Sequence, residues 1–311
     1  MDLYRSDRLC WCVSRVVGSN QRIVDHMTDQ NENKPQSGTD VEAPSEVAVP
    51  EPQRRVNALV LGLAALVLIA IAWRMLPNAT IPAPPDFSMY TDTEQRKQMF
   101  FEYFLPLVTL RNQQILEQRE RLLSLSERRG SLMFWQRMWL QQLAEEYEIT
   151  EFDLASDEDW EVLIRRVDIV PPSLALAQAA NESAWGGSRF AVEGNNYFGH
   201  WCFVAGCGLV PEDRPAGAQH EVAAFDSPLH SVQRYIHNLN SHEAYLELRR
   251  RREALRENDR LVSGLELVGD LDRYSERGEA YIDELSEMIR FNELDELDEL
   301  DETIEPDSTV D

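Results

Sequence analysis

Positive charge is scarce in this 311-residue sequence: 30 Lys and Arg stand against 55 Asp and Glu, a formal charge of −25. A general nucleic-acid binder needs a net basic face to attract phosphate, so that class is excluded. Cysteine is rarer still, with four residues in two close pairs, Cys10/Cys12 and Cys202/Cys207. Cys10 and Cys12 are too few and too close for a metal site. His200, Cys202, Cys207 and His220 have the spacing H-x-C-x₄-C-x₁₂-H, which matches no common zinc signature. No calcium-loop spacing accompanies the acidic residues either. Neither a metal nor a cofactor is therefore expected. Apolar residues are not lacking: at 43 % they are enough for a core, so a wholly disordered chain is excluded.

Residues Val56–Leu76 read VNALVLGLAALVLIAIAWRML, with no charge between Ala58 and Trp73. As a helix this run spans roughly 31 Å, near the ~30 Å of a hydrocarbon core. A helix satisfies its own backbone in lipid, so a transmembrane segment is expected. Arg54 and Arg55 precede it, which favours a cytoplasmic N-terminus and places the rest of the chain beyond the bacterial inner membrane. No small-residue cleavage site follows, which argues against a removed signal peptide.

Around this run the composition divides the chain. Residues 1–55 read as a disordered cytoplasmic tail, with translation from Met1 or from Met27 both open. Residues 77–92 form a proline-rich linker, and 93–155 a helical spacer that packs on the following domain or holds it off the membrane. In that spacer Leu105, Leu107, Leu116 and Leu123 suggest one helix face, and Pro106 predicts a kink or break. Phe134, Trp135, Met138, Trp139 and Leu143 form an apolar stripe expected to be core. Residues 156–292 make the main domain. Helices are expected near 159–167, 172–183, 227–239, 243–256 and 279–290, with a β-containing lobe over 195–225. The run Arg249–Arg252 reads as a solvated helix face, and residues 293–311, with ten acidic and no basic residues, as a disordered tail. The fold class expected is α+β, mostly α.

Chemistry concentrates in two segments. In LALAQAANESAWGGSRF, Glu182 follows Leu174 and Gln178 at four-residue intervals, so the three share one side of a helix. The negative helix end and the neighbouring Trp185 both disfavour a charged carboxylate, which suits a general acid. In GNNYFGHWCF, glycines permit tight turns, while Asn195, Asn196, Tyr197, Phe198 and Trp201 supply the amides and flat apolar faces that suit a sugar. Packing of the lobe is the equal alternative for these aromatics.

Three blocks carry a family resemblance: VDIVPPSLALAQAANESAWGGSRFA (167–191), GNNYFGHWCFVAGCGLVP (194–211) and RYSERGEAYIDEL (273–285). Together they resemble the Bax-type branch of the bacterial glucosaminidases, glycoside hydrolase family 73. The resemblance implies a two-lobed lysozyme-like domain that cleaves the β-1,4 bond after N-acetylglucosamine in peptidoglycan. It implies Glu182 as the catalytic acid, in the pattern A-x-x-E-S-x-W-G, and Tyr274 beside it in the catalytic centre. Trp185, Asn195, Asn196, Tyr197 and Phe198 become candidate substrate contacts. The second carboxylate is not fixed by the motifs; Glu221 is the first candidate and Glu212 the second. Inversion needs the two carboxyl groups ~6.5–9.5 Å apart. Substrate-assisted hydrolysis, lytic transglycosylation, muramidase action and a non-catalytic wall-binding role stay open. The expected partners are glycan strands and the inner membrane. Beyond that membrane an oxidising compartment favours a Cys202–Cys207 disulfide over the zinc set.

Overall fold

The computed structural model describes residues 81–302 other than 213, 215 and 216. The expected tail 1–55, the expected span 56–76 and the chain beyond 302 lie outside the described residues. Among the described residues no helix is long and apolar enough to cross a membrane. The described residues form one compact unit.

The longest element, α1 (Thr93–Ser126), starts where the Asp92 carboxylate accepts from the Gln95 amide at 2.8 Å. Its buried positions include Phe100, Phe104, Val108, Ile115 and Leu122, spaced by four or seven residues. Of the expected leucines, Leu107 is buried and Leu105 packs against the core, but towards the C-terminus the inward face is rotated and Leu123 is exposed. Pro106 neither breaks nor ends the helix. It lies on the solvent side, where water can take the carbonyl it leaves unpaired. Because Phe100 and Phe104 join the same core as Leu174, Leu176 and Tyr197, α1 packs on the following domain, the first of the two alternatives expected for 93–155.

After α1 come α2 (Phe134–Glu146), α3 (Asp157–Arg166) and α4 (Pro172–Glu182). Ser156 caps α3, its hydroxyl accepting from the Asp159 amide at 3.2 Å, as the sequence suggested. The apolar stripe on α2 is largely not core. Leu140, Leu143 and Ala144 are buried, whereas Phe134, Trp135 and Met138 face solvent. A short α5 (Arg189–Gly194) leads into a three-stranded sheet of β1 (Trp201–Cys202), β2 (Gly208–Leu209) and β3 (Glu221–Ala223). Its order is β1-β3-β2, all antiparallel, with Trp201 and Leu209 both opposite Val222. Helices α6 (Pro228–Ser241), α7 (Leu246–Glu257), α8 (Gly264–Leu267), α9 (Glu279–Phe291) and α10 (Glu296–Glu302) complete a mostly helical α+β fold.

Two charged features depart from expectation. Arg249 and Arg252 in the four-arginine run are buried, not solvated. Arg249 donates to the Leu239 and His242 carbonyls, and Arg252 to the Ile169 carbonyl and Asn240 Oδ1. At the centre, Asp168 takes both oxygens to Arg256 at 2.7 and 2.8 Å, with Arg252 at 3.6 Å and Arg119 at 3.5 Å. Burial works to raise the Asp168 carboxyl, but the three guanidinium groups outweigh it and hold the group at about 2.

The acidic tail is folded where it begins. Leu294 and Asp298 are buried, and α10 packs against α4. Asp298 accepts from the Ser173 amide at 2.9 Å, the Ser173 hydroxyl at 2.6 Å and the Gly264 amide at 2.9 Å. A carboxylate is favourable at a helix N-terminus, so this one acidic residue is stabilised by the end of α4. Gly264 is needed there, because an added Cβ would lie 2.1 Å from Ser173 Oγ. The near-complete burial of α4, from Pro172 to Ala180, makes it the helix around which the others pack.

Candidate active site

Glu182 is the last residue of α4. Immediately beyond it Ala184 and Trp185 adopt left-handed backbone, at φ 50° and 57°, so the chain turns away and leaves the carboxyl at the helix end. Ser183 secures that turn, donating to the Ala179 carbonyl at 2.6 Å and accepting from the Gly186 amide at 2.8 Å. Trp185 packs edge-on against Phe100 and Phe101 of α1. An open groove of about 560 Å³ runs past it, lined also by Lys97, Glu284, Met288 and Phe291.

A chain of three hydrogen bonds ends on the Glu182 carboxyl. Tyr235 Oη donates to Gln178 Oε1 at 2.5 Å, Gln178 Nε2 to Tyr281 Oη at 3.0 Å, and Tyr281 Oη to Glu182 Oε1 at 2.8 Å. Gln178 is fully buried, one turn before Glu182, so both of its amide ends are spent inside the protein. On the other side Gly199, at φ 65°, crosses Glu182 Oε2; a Cβ on Gly199 would lie 3.3 Å from that oxygen. Burial raises the Glu182 carboxyl above the ordinary carboxylate range, against the Tyr281 hydrogen bond and the charge of Arg277, and the negative charge of Glu284 adds to the rise. The expectation of a carboxyl kept protonated rests here on desolvation first.

Tyr281, not Tyr274, touches Glu182. Tyr274 donates to the Phe198 carbonyl at 2.8 Å and lies parallel to the Tyr281 ring, 5.8 Å between centroids. It therefore ties the Phe198–Gly199 turn to the tyrosine that holds the acid. Tyr281 was within the quoted block 273–285. Its spacing to Leu285 and Ile289, one buried face of α9, is the signal that aims it inward.

The candidate sugar contacts on GNNYF are structural. Asn195 ends α5 in left-handed backbone and donates to the Phe225 carbonyl at 3.0 Å. Asn196 is buried, donating to the His200 and Ala223 carbonyls and accepting from the Phe198 and His200 amides. Tyr197 packs on Phe104 at 4.5 Å, and Phe198 stacks on Tyr235 at 4.1 Å. With amides satisfied and rings buried, these four residues hold the turn over Glu182. The lobe leaves Trp201 exposed instead, its ring against His220 at 4.7 Å.

Glu221, the first residue of β3, braces the neighbouring loop. Its carboxylate accepts from the Gly206 amide at 3.1 Å and the Gly208 amide at 2.9 Å, and these bonds hold it below the usual carboxylate range. It closes the loop that the Cys202–Cys207 disulfide also spans. The disulfide takes both sulfurs from the zinc set considered in the sequence. Glu212 is exposed on the surface, 4.0 Å from Arg189.

Residues 158–294 match the Glucosaminidase family, described as mannosyl-glycoprotein endo-beta-N-acetylglucosaminidase, so the chain carries a domain of the glucosaminidase class. It is 32 % identical over 209 residues to "Protein bax" of Escherichia coli (strain K12), a match covering 67 % of this chain and 74 % of that relative. The chain belongs to the Bax-type glucosaminidase family. No solved structure matches it.

Proposed function

We propose that the chain is a peptidoglycan hydrolase that cleaves the β-1,4 bond after N-acetylglucosamine, with Glu182 as the general acid. The observation that carries this reading is the Glu182 carboxyl, raised by burial and held by Tyr281 at the end of α4. A protonated carboxyl can give its proton to the glycosidic oxygen as that bond breaks, while solvent water bonds to the anomeric carbon and releases the proton that restores the acid. Tyr281 Oη, already donating to Oε1, stabilises the carboxylate this leaves. Oε2, on the Gly199 side, is the oxygen left to carry the proton. The glycan strand lies in the groove past Trp185 and Glu284. A membrane anchor at 56–76, with the N-terminus in the cytoplasm and this domain in the periplasm, completes the reading.

Mass spectrometry of fragments from digested sacculi tests it. A reducing N-acetylglucosamine end is expected. A reducing muramic end means a muramidase, an anhydro end a transglycosylase, and intact sacculi with bound protein a wall-binding module. Protease treatment of intact spheroplasts tests the topology: residues 81–302 are expected to be digested from outside.

A further inference from the structure

The loop before α2 and the first turns of that helix expose Met133, Phe134, Trp135 and Met138 at 51, 74, 62 and 48 %. Single exposed apolar residues are ordinary, but four large ones within six positions form a patch that calls for a partner. The same stretch is basic. From Arg119 to Arg137 there are five arginines and two exposed glutamates, in a chain of net charge −25, and Arg119 is turned to Asp168. Arg121, Arg128 and Arg137 are exposed. Arg121 lies over the Trp139 ring at 4.2 Å, Arg128 donates to Ser124 Oγ at 3.1 Å and Arg137 to the Leu132 carbonyl at 3.1 Å. None of these contacts is to a carboxylate, so the three cations keep their charge for a ligand. Arg129 differs, being paired with Asp157.

Apolar tips with an arginine rim have the chemistry of a segment that enters the headgroup region of an anionic bilayer. Aromatic rings and arginine stems are stable at that boundary, with apolar bodies in and charged heads out. A second copy meeting this patch through a two-fold axis would bring arginines against arginines, which opposes it. We propose that Met133–Met138 is a docking surface for anionic lipid, which steadies the domain on a membrane. The proposal is independent of the chemistry assigned to Glu182.

The test uses the full chain in nanodiscs of phosphatidylglycerol or of phosphatidylcholine, each doped with a photo-crosslinking lipid, with adducts mapped by peptide mass spectrometry. Adducts within 132–139 are expected on the anionic discs, with strong reduction on the zwitterionic ones. Loss is expected in F134S/W135S/M138S and in R128E/R137E, both with an unchanged thermal midpoint. Adducts confined to 56–76, or no adducts at all, overturn the proposal. Equal labelling on both lipids overturns its anionic preference. A protein–protein cross-link through this turn that F134S/W135S/M138S abolishes, without lipid adducts there, overturns it in favour of self-association.

Discussion

Burial raises the Glu182 carboxyl and the Tyr281 hydroxyl lowers it, so in the proposed reaction one hydroxyl tunes the pH range of the acid. E182Q is expected to keep its thermal midpoint and to lose release of reducing ends from sacculi by at least about 10³-fold. Tyr281→Phe removes a donor to the charged form, so the Glu182 pKa rises further. An acid that works protonated then stays competent to higher pH, and the alkaline limb of the rate profile is expected to move up. Tyr274→Phe removes a hydrogen bond to the Phe198 carbonyl and not to Glu182. It should leave the limb in place and lower stability by about 1 kcal/mol. A limb moved by the Tyr274 variant alone would reverse these assignments. The sequence marked Glu182 because its neighbours repeat a long motif. It did not separate Tyr274 from Tyr281, because which hydroxyl meets Glu182 depends on how α9 lies against α4.

Helix faces and helix ends account for the departures from the sequence reading. A four-arginine run has the pattern of a solvated face, yet α7 turns Arg249 and Arg252 inward, where Asp168 and backbone carbonyls receive them. Asp168, held at about 2, titrates below its ~3.9 in an unfolded chain. Its contribution is therefore complete above about pH 4 and lost as the pH falls from about 4 to about 2, roughly 2 kcal/mol in all. Asp168→Asn leaves buried arginines without their anion and is expected to cost about 3–5 kcal/mol in chemical denaturation at pH 7, with a much flatter acid limb. The ELD repeat shows the opposite error. Its like charges predict disorder, but Asp298 finds the amides at the start of α4. Asp298→Ala is expected to cost about 2–3 kcal/mol, read as a lower denaturation midpoint with Glu182 chemically untouched. The stripe on α2 misled for a related reason: period alone does not say whether a facing surface exists.

At the scale of the molecule, the Cys202–Cys207 bond fits a domain folded in an oxidising compartment, so alkylation of the native protein should find both thiols blocked while reduction frees them. The α+β class, five of the helices within a few residues, the place of Glu182 at a helix end and the disulfide pair were all determined by the sequence. Each is a local property: apolar period, a proline at a helix start, a short ordered motif, two cysteines five residues apart. The tertiary structure decided what depends on partners distant in the chain. Tyr281 reaches Glu182 across 99 positions and Asp298 reaches Ser173 across 125. It also decided that α1 is core, and that GNNYF is a buried brace. A side chain's role is set by which surface burial brings against it, and no spacing along the chain records that encounter.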